Sequence, residues 1–256
     1  MPLHVGATTV LRAARPTAAE VMHVLAAYKP SIFCGVPTLF AAILAEPALK
    51  EAPGSPALRV SISAGEALPR ALGERWRERF GSDILDGIGS TEMLHMFLSN
   101  RPGDIRYGTT GRPVPGYSLK LVGDDGDAAP DGEEGALWVS GPSACIGYWN
   151  QRERSLATFH GPWTRTGDRY VRDEEGYWSY RGRADDMLKV GGIWVSPVEV
   201  EEALSGHPSV REVGVTGRAD EAGMIKPAAF VVLRPGYPPS AALADELKRF
   251  VKEHLA

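Results

Sequence analysis

The sequence is poor in the features that mark disulfide-rich, membrane-spanning and metal-binding proteins. Its 256 residues include two cysteines, Cys34 and Cys145, which are too few for a disulfide framework. No apolar run approaches the roughly 18 to 20 residues that cross a bilayer, and the first residues lack a secretory signal pattern. The six histidines show no zinc-binding spacing. These absences favour a globular protein of the reducing cytoplasm.

The charge is balanced rather than concentrated. Lysine and arginine total 28 against 32 acidic residues, and the formal net charge is −4. Nucleic acids and anionic membranes both require a concentrated positive patch, so the sequence predicts neither as a partner. With 43% hydrophobic residues, the chain can bury a core in one large domain or in two or three units.

Residues 1–108 alternate strand and helix patterns. Thr17 stands three residues before Glu20, a capping box that predicts a helix over TAAEVMHVLAAYK. A buried strand is predicted for SIFCGV, and Pro37 starts a second helix. Two further strands are predicted for RVSIS and DILDGI, with a helix between them that Gly81 ends and another helix, MLHMFL, after them. The alternation is typical of a partial parallel α/β sheet with right-handed crossovers.

Three short loops should leave this sheet at one edge. Each of them follows a predicted strand, and their sequences are VPT, SAGE and GSTE. The carboxyl ends of parallel strands meet at the edge where open α/β sheets bind their ligands. The sequence therefore predicts a binding site that these loops share.

Residues 109–184 have a different pattern. Short alternating strands are separated by turns in GYSLKLVG, GALWVSG, GDRYVRD and GYWSYRGR, which predict an antiparallel, β-barrel-like subdomain. Between the first two lies GDDGDAAPDGEEG, which carries six acids. Its spacing differs from that of a calcium loop, so we interpret it as a solvated hairpin loop.

Residues 185–256 predict a small α+β unit. Ser196 and Glu199 form a capping box with proline at the first helical position, and Gly206 is the expected end of that helix. Two strands follow, REVGVTG and AAFVVL, and then an amphipathic helix that starts at Ser240.

The loop GSTE has the composition of a phosphate site. Gly89 lets a ligand approach the backbone, and the amides of the predicted helix start, with the hydroxyls of Ser90 and Thr91, suit a phosphate. A carboxylate beside a phosphate is repulsive unless a cation lies between them, so Glu92 implies Mg²⁺. The structural alternative is that Ser90 or Thr91 caps the helix and Glu92 favours its positive end. A dinucleotide fingerprint is disfavoured, because Glu92 stands where GxGxxG has its third glycine.

Three further features suit a nucleotide ligand. Asp168 follows a Thr-Gly turn in TRTGDRY, and a buried carboxylate there would accept both hydroxyls of a ribose. Arg183 ends a strand and would donate to the same ribose or to a phosphate. The alternatives are a turn-stabilising aspartate and a solvated charge at a domain border. Gly191 and Gly192 predict a loop without side chains.

The order of these motifs resembles one family. SAGEALP, DGIGSTE, GYW, TRTGD and GRADDMLKVGGIWVSPVEVEEAL follow one another as in the adenylate-forming (AMP-binding) acyl-CoA synthetases. Within that family, IFCGVPTLFAAIL, GIGSTEMLH and DDMLKVGGIWVSPVEVE are similar to benzoate-CoA ligases. The resemblance implies an α/β subdomain, a β-rich subdomain and a small mobile C-terminal domain. It also implies that ATP converts an aromatic carboxylate into an acyl-AMP, from which the thiol of coenzyme A displaces AMP.

The resemblance assigns roles to individual residues. The adenine would lie along Gly65, Glu66, Asp86, Gly87 and Ile88, where Ile88 replaces the aromatic residue of many members. The ribose would bind Asp168 and Arg183, the α-phosphate Thr91, and Mg²⁺ Glu92. Acyl specificity would come from Phe33, Gly35, Ala64, Gly89, Leu94 and His95. Taken alone, His95 in an apolar helix is also typical of a core residue.

The remaining assignments concern the second half-reaction. The hinge about which the C-terminal domain swings would be Asp185. The pantetheine tunnel would be lined by Gly191 and Gly192, with Lys189 nearby. The catalytic residues of this chain would then be Thr91, Glu92 and Lys189.

The chain departs from the family pattern in two places. The family's Ser/Thr/Gly-rich phosphate loop and its C-terminal lysine have no match in these residues, so we expect the second half of a longer protein. We expect the intact parent to be the ligase and the isolated chain to be nearly inactive, because losing one such donor costs on the order of 10² to 10³ in rate. The alternative is a non-catalytic fragment that binds nucleotide or other chains. A homodimer is compatible with either reading.

Overall fold

The structure, a computed structural model, describes residues 2–13, 16–50, 52, 54–184, 186–190, 193–219 and 225–255. It divides into two compact units, Met1–Tyr117 and Ser118–Ala256. The three-part division predicted from the sequence, at 1–108, 109–184 and 185–256, stays a prediction. Among the described residues, no helix has both the length and the apolar character that crossing a bilayer requires.

The first unit alternates helices and strands. In chain order they are α1 (Ala18–Tyr28), β1 (Ile32–Gly35), α2 (Pro37–Ala45), β2 (Val60–Ser63), α3 (Arg70–Phe80), β3 (Asp83–Gly89), β4 (Met96–Ser99) and β5 (Arg112–Pro113). The strands form one sheet in the order β1-β2-β3-β4-β5. The first three are parallel and the last two antiparallel, which confirms the predicted parallel α/β sheet for β1, β2 and β3.

The predicted starts of α1 and α2 and the predicted end of α3 are confirmed. The Thr17 hydroxyl accepts a hydrogen bond from the Glu20 N–H at 3.2 Å and so caps α1. Pro37 occupies the first position of α2, where its missing N–H leaves no hydrogen bond unmade. Gly81 ends α3 in the left-handed conformation, at φ +64°, which glycine adopts without a steric penalty.

The core of the first unit lies between its sheet and its helices. The Trp76 ring is fully buried on α3 and meets the edge of the Phe40 ring, with 4.7 Å between their centroids. The other buried hydrophobic members of this cluster are Val21, Met22, Leu25, Ile43, Leu68, Leu72, Ile84 and Tyr107. This packing holds the loops after β1, β2 and β3 on a common scaffold.

The prediction of a helix over MLHMFL is wrong. After β3 the chain turns and returns as β4, which pairs antiparallel with β3. Phe97 and Leu98 are both fully buried in that strand. Six apolar residues are too few to separate helix from strand by periodicity, and burial in the sheet decides between them.

The prediction of a buried strand over SIFCGV is also wrong. A strand is present, but β1 pairs only with β2 among the described strands and forms an edge of the sheet. Its residues alternate between exposed and half-buried, with Ile32 47% exposed and Cys34 exposed. An apolar run therefore does not guarantee burial on both faces of a strand.

The second unit is richer in strands. Its elements are β6 (Ser118–Val122), β7 (Glu134–Ser140), α4 (Arg152–Thr158), β8 (Phe159–His160), β9 (Trp163–Arg172), β10 (Trp178–Arg183), β11 (Leu188–Val190), β12 (Ile193–Val195), α5 (Pro197–Ser205), β13 (Val210–Ala219), β14 (Ile225–Leu233) and α6 (Ala241–Leu255). The first strands form a half-barrel-like antiparallel sheet in the order β10-β9-β7-β6, with β8 beside β9. The predicted antiparallel strands are confirmed.

The acidic segment connects β6 and β7 and is a hairpin loop, as predicted. It is fixed to β9 by ion pairs, which the sequence did not predict. Arg169 Nη1 lies 2.9 Å from Asp124 Oδ1, and the same arginine also pairs with Glu134. Arg172 pairs with Asp131.

The C-terminal elements also follow the sequence prediction. The Ser196 hydroxyl accepts a hydrogen bond from the Glu199 N–H and caps α5, and Gly206 follows the helix. Strands β13 and β14 pair antiparallel, and the buried cluster of this region is Val200, Leu204, Val210 and Leu247. The antiparallel pair β11 and β12 was not predicted, because runs of three residues are too short to show alternation.

Candidate functional site

Two of the three predicted loops meet at the carboxyl edge of the sheet. Glu66, in the loop after β2, accepts hydrogen bonds at 3.3 Å from the backbone N–H and the hydroxyl of Thr38, in the first turn of α2. The Val36 N-cap of α2 supplies no side-chain hydrogen bond, so Glu66 satisfies an amide that the helix leaves open. The negative charge also favours the positive end of the helix. Sequence reasoning missed Thr38, whose only signal is its place behind the helix-starting proline.

Asp86 is buried in the middle of β3, where the parallel pairing with β2 ends. It lies beside Ser63 of β2 in the parallel register, and both residues are shielded from solvent. Burial raises the pKa of the Asp86 carboxyl from 3.8 to about 8, although a hydrogen bond from the Gly87 N–H acts in the opposite direction. Within the described part of the chain, its Oδ1 has no hydrogen-bond partner. A buried acceptor without a partner suits a ligand that brings a donor.

Gly89 allows the chain to turn tightly after β3. A Cβ atom at this position would lie 2.5 Å from the carbonyl oxygen of His95 and 2.8 Å from the Met96 nitrogen. The register of β3 and β4 shifts at the same point, between Ile88 and Gly89. Only glycine fits such a close backbone approach.

The loop that follows Gly89 has polar residues at the surface and one buried residue that packs into the protein. Met93 is fully buried, whereas Thr91 is exposed and Glu92 is partly exposed. Ser90 Oγ is buried and lacks a hydrogen-bond partner among the described residues. Since no helix starts here, a phosphate would meet a turn rather than the helix amides that the sequence predicted.

The six predicted acyl-pocket residues have different environments. The Phe33 ring packs against the rings of Phe40 and Trp76, at centroid distances of 5.3 and 6.1 Å, so it belongs to the hydrophobic core. A Cβ at Gly35 would lie 3.2 Å from Phe40, which places Gly35 on the same face. Ala64 is half-buried.

The last two of the six lie beside Gly89. Leu94 and His95 are both exposed in the loop before β4. His95 is therefore neither a core residue nor part of a helix, and both of these expectations are wrong.

Asp168 lies inside β9 rather than after a turn. Gly167 has φ +83°, and the register between β7 and β9 shifts around it, so the Thr-Gly sequence forms a bulge within one long strand. The Thr166 hydroxyl accepts a hydrogen bond from the Asp168 N–H and donates one to the Leu137 carbonyl, both at 3.1 Å. Asp168 is only 6% exposed. The bulge fixes the direction of a buried carboxylate.

Arg183 lies directly across from Asp168 on β10. The two residues are register partners, and Arg183 Nη1 donates to Asp168 Oδ1 at 3.2 Å. The guanidinium side chain remains 48% exposed, which leaves it accessible to a ligand. Burial, and then the negative charge of Asp168, raise the pKa of the Tyr180 hydroxyl to about 12. Tyr180 is a neighbour of the pair that the sequence did not reveal.

The remaining predicted residues belong to the region around β11. Lys189 lies in that strand. Asp185, Gly191 and Gly192 lie outside the described residues. The structure thus assembles two groups, one at the sheet edge of the first unit and one on β9 and β10 of the second.

Two family models match the chain. The model described as AMP-binding enzyme matches residues 1–149, and the model described as AMP-binding enzyme C-terminal domain matches residues 199–256. The benzoate–CoA ligase of Thauera aromatica is 56% identical over 256 residues, which are 100% of this chain and 48% of that protein.

Solved structures with the same fold have related activities. A benzoate CoA ligase from Burkholderia xenovorans LB400 has a TM-score of 0.93 and 54% identity, and the match covers all of this chain and 51% of that one. The anthranilate CoA ligase AuaEII, solved in complex with anthranoyl-AMP, has a TM-score of 0.92 and 47% identity over all of this chain and 49% of that one. The chain spans about half the length of these relatives.

Proposed function

Because the chain belongs to the AMP-binding enzyme family, we propose that it supplies the adenylate-binding part of a ligase that joins a benzoate-like acid to coenzyme A. The reaction would pass through an acyl-adenylate, which gives the unreactive carboxylate a leaving group. The observation that carries the proposal is the 56% identity to a benzoate–CoA ligase along the whole chain. The aromatic substrate rests on this similarity and on that to the anthranilate ligase.

The proposed nucleotide contacts agree with the local chemistry of each residue. Asp86 offers a buried acceptor to the amino group of adenine, and Asp168 with Arg183 offers an acceptor and a donor to the ribose hydroxyls. The other proposed adenine contacts are Gly65, Glu66, Gly87 and Ile88. Thr91 donates to the α-phosphate from its exposed position.

Glu92 would be the protein ligand of a Mg²⁺ ion at the loop after β3. Protein sites for Mg²⁺ use one or two carboxylates together with substrate phosphates, rather than a complete protein cage. Glu92 is the carboxylate that follows the exposed Thr91 hydroxyl in the same turn. A bound Mg²⁺ would neutralise phosphate charge there.

The acyl pocket and the second half-reaction complete the proposal. Ala64, Gly89 and His95 would contact the aromatic acid directly, Leu94 would shape the pocket through the loop before β4, and Phe33 with Gly35 would shape it through the core. For the transfer to coenzyme A we propose Asp185 as the hinge, Lys189 as a catalytic residue, and Gly191 with Gly192 as the tunnel lining.

The proposal is tested by comparing two stable analogues of the intermediate, benzoyl- and acetyl-sulfamoyl adenosine, by calorimetric titration of the 256-residue chain. The benzoyl compound should bind about tenfold or more tightly, because its ring buries additional apolar surface. Equal affinities would contradict the aromatic substrate, and no binding of either compound would contradict the nucleotide site.

In an assay with benzoate, ATP and coenzyme A, the isolated chain should form almost no AMP or benzoyl-CoA; robust turnover would contradict this expectation.

Asp168→Asn should weaken binding of the benzoyl analogue by about tenfold, since hydrogen bonds to a charged group contribute about 1.5–3 kcal/mol. The matched control is Asp131→Asn, which removes another carboxylate paired with an arginine of β9. Calorimetry should show the control within about twofold of the unmodified chain. An Asp168→Asn variant that binds as tightly as the control would argue against a ribose contact.

A further inference from the structure

Leu94 adopts a backbone conformation that is unfavourable for leucine. Its φ is +66°, in the left-handed region that residues with a Cβ atom usually avoid. Among the described residues, two other non-glycine residues share a positive φ, Lys29 and Asn150. Lys29 ends α1 at its C-cap, and asparagine tolerates this region. Leu94 neither caps a helix nor belongs to a residue type that tolerates a positive φ.

The Leu94 side chain gains little from its position. It is 73% exposed, whereas the preceding Met93 is fully buried. Burial of the leucine therefore does not compensate for its unfavourable backbone. Unfavourable conformations of this kind persist where the surrounding structure imposes them, and they concentrate at functional sites.

The left-handed residue closes the turn between β3 and β4. The Leu94 N–H donates to the Thr91 carbonyl at 3.3 Å, and the His95 N–H donates to the Met93 carbonyl at 2.7 Å. The His95 carbonyl then packs against Gly89, where a Cβ would lie 2.5 Å from its oxygen. Thr91 is held inside this turn, between the buried Met93 and the close contact at Gly89.

We propose that Leu94 is a positioning residue whose backbone, rather than its side chain, sets the geometry of Thr91, Glu92 and His95. This inference rests on the proposed function and deepens it. It differs from a role of the Leu94 side chain as a wall of the acyl pocket. The left-handed turn makes the loop ready to receive a ligand before the ligand arrives.

Two substitutions separate the backbone role from the side-chain role. Leu94→Asn removes the apolar side chain but tolerates the left-handed conformation, whereas Leu94→Val keeps an apolar side chain and strongly resists it. Calorimetry with benzoyl-sulfamoyl adenosine should show that Leu94→Val binds about tenfold or more weakly than Leu94→Asn, because valine and not asparagine disturbs the turn. The inference is overturned if Leu94→Asn loses as much affinity as Leu94→Val, or more.

A second measurement does not depend on the ligand. In two-dimensional amide NMR spectra of the free chain, the Thr91 and Glu92 signals should keep their positions in Leu94→Asn and move in Leu94→Val. Unchanged signals in Leu94→Val would overturn the inference even if it binds weakly. If the unmodified chain does not bind the analogue, the proposed function fails, and the spectra still decide whether Leu94 sets the loop geometry.

Discussion

Gly89→Ala is expected to weaken binding of benzoyl-sulfamoyl adenosine by about a hundredfold or more, which corresponds to about 2.7 kcal/mol. The added methyl group would lie 2.5 Å from the His95 carbonyl oxygen and 2.7 Å from the His95 carbonyl carbon, which are backbone atoms. No side-chain rotation relieves such a contact, so the turn between β3 and β4 has to open. Thr91, Glu92 and His95 all move with that turn.

The stability of the protein should change as well. Forcing extra atoms into a closely packed site costs about 1–3 kcal/mol in the free energy of unfolding. Gly214→Ala is the matched control, because a Cβ at Gly214 meets no atom within 4 Å. The control should keep the affinity and stability of the unmodified chain, as measured by calorimetry and urea denaturation. Equal affinities of Gly89→Ala and the control would show that the turn does not shape the site.

The second large effect is expected from Asp86→Asn and depends on pH. The pKa of Asp86 is about 8 in the folded chain and near 3.8 when exposed, so the folded state holds a proton that the unfolded state releases. This contribution to stability is complete below pH 3.8 and is lost as the pH rises through 8. At about 1.4 kcal/mol per pKa unit, the unmodified chain should lose about 4 kcal/mol between pH 5 and pH 9 because of this group, almost all of it below pH 8.

Asparagine removes the charge and therefore this loss. Urea denaturation should show that the stability of Asp86→Asn relative to the unmodified chain rises by about 4 kcal/mol between pH 5 and pH 9. Asp127→Asn, an exposed substitution in the hairpin loop, should change stability by less than about 0.5 kcal/mol at either pH. If Asp86→Asn and the unmodified chain respond identically to pH, Asp86 does not carry the buried proton.

Local signals predicted much of the scaffold. Helices α1, α2, α3 and α5 could be placed because capping residues act within one turn of chain and do not depend on tertiary packing. Local capping signals marked the helix starts at Thr17, Pro37 and Ser196. A glycine, Gly81, marked the end of α3 in the same way. The convergence of two loops also followed from parallel strand order and is visible in the contact of Glu66 with Thr38.

Features that depend on contacts between distant residues were not predictable. MLHMFL was assigned to a helix because its composition alone cannot show that β3 would pair with it. The bulge at Gly167 arises from the pairing of β9 with β7, so the sequence indicated only a turn. The left-handed Leu94 has no sequence signal, because leucine is not a residue that usually adopts this conformation.

The candidate site was predicted in composition but not in geometry. The side-chain chemistry of Asp168 and Arg183 indicated a hydrogen-bond acceptor and a hydrogen-bond donor. The structure adds that the two side chains form an ion pair. Asp86 was assigned through the family resemblance, and its burial and unpartnered oxygen became visible only in the fold. That these residues contact a nucleotide is the central proposal.

The most direct test is a titration of the ¹⁵N-labelled chain with benzoyl-sulfamoyl adenosine, followed by amide NMR. The proposed contacts predict that the signals of Thr91 and Glu92 in the first unit shift on binding, as do those of Asp168 and Arg183 in the second unit. Unchanged signals in either group would contradict the nucleotide contacts proposed for that group.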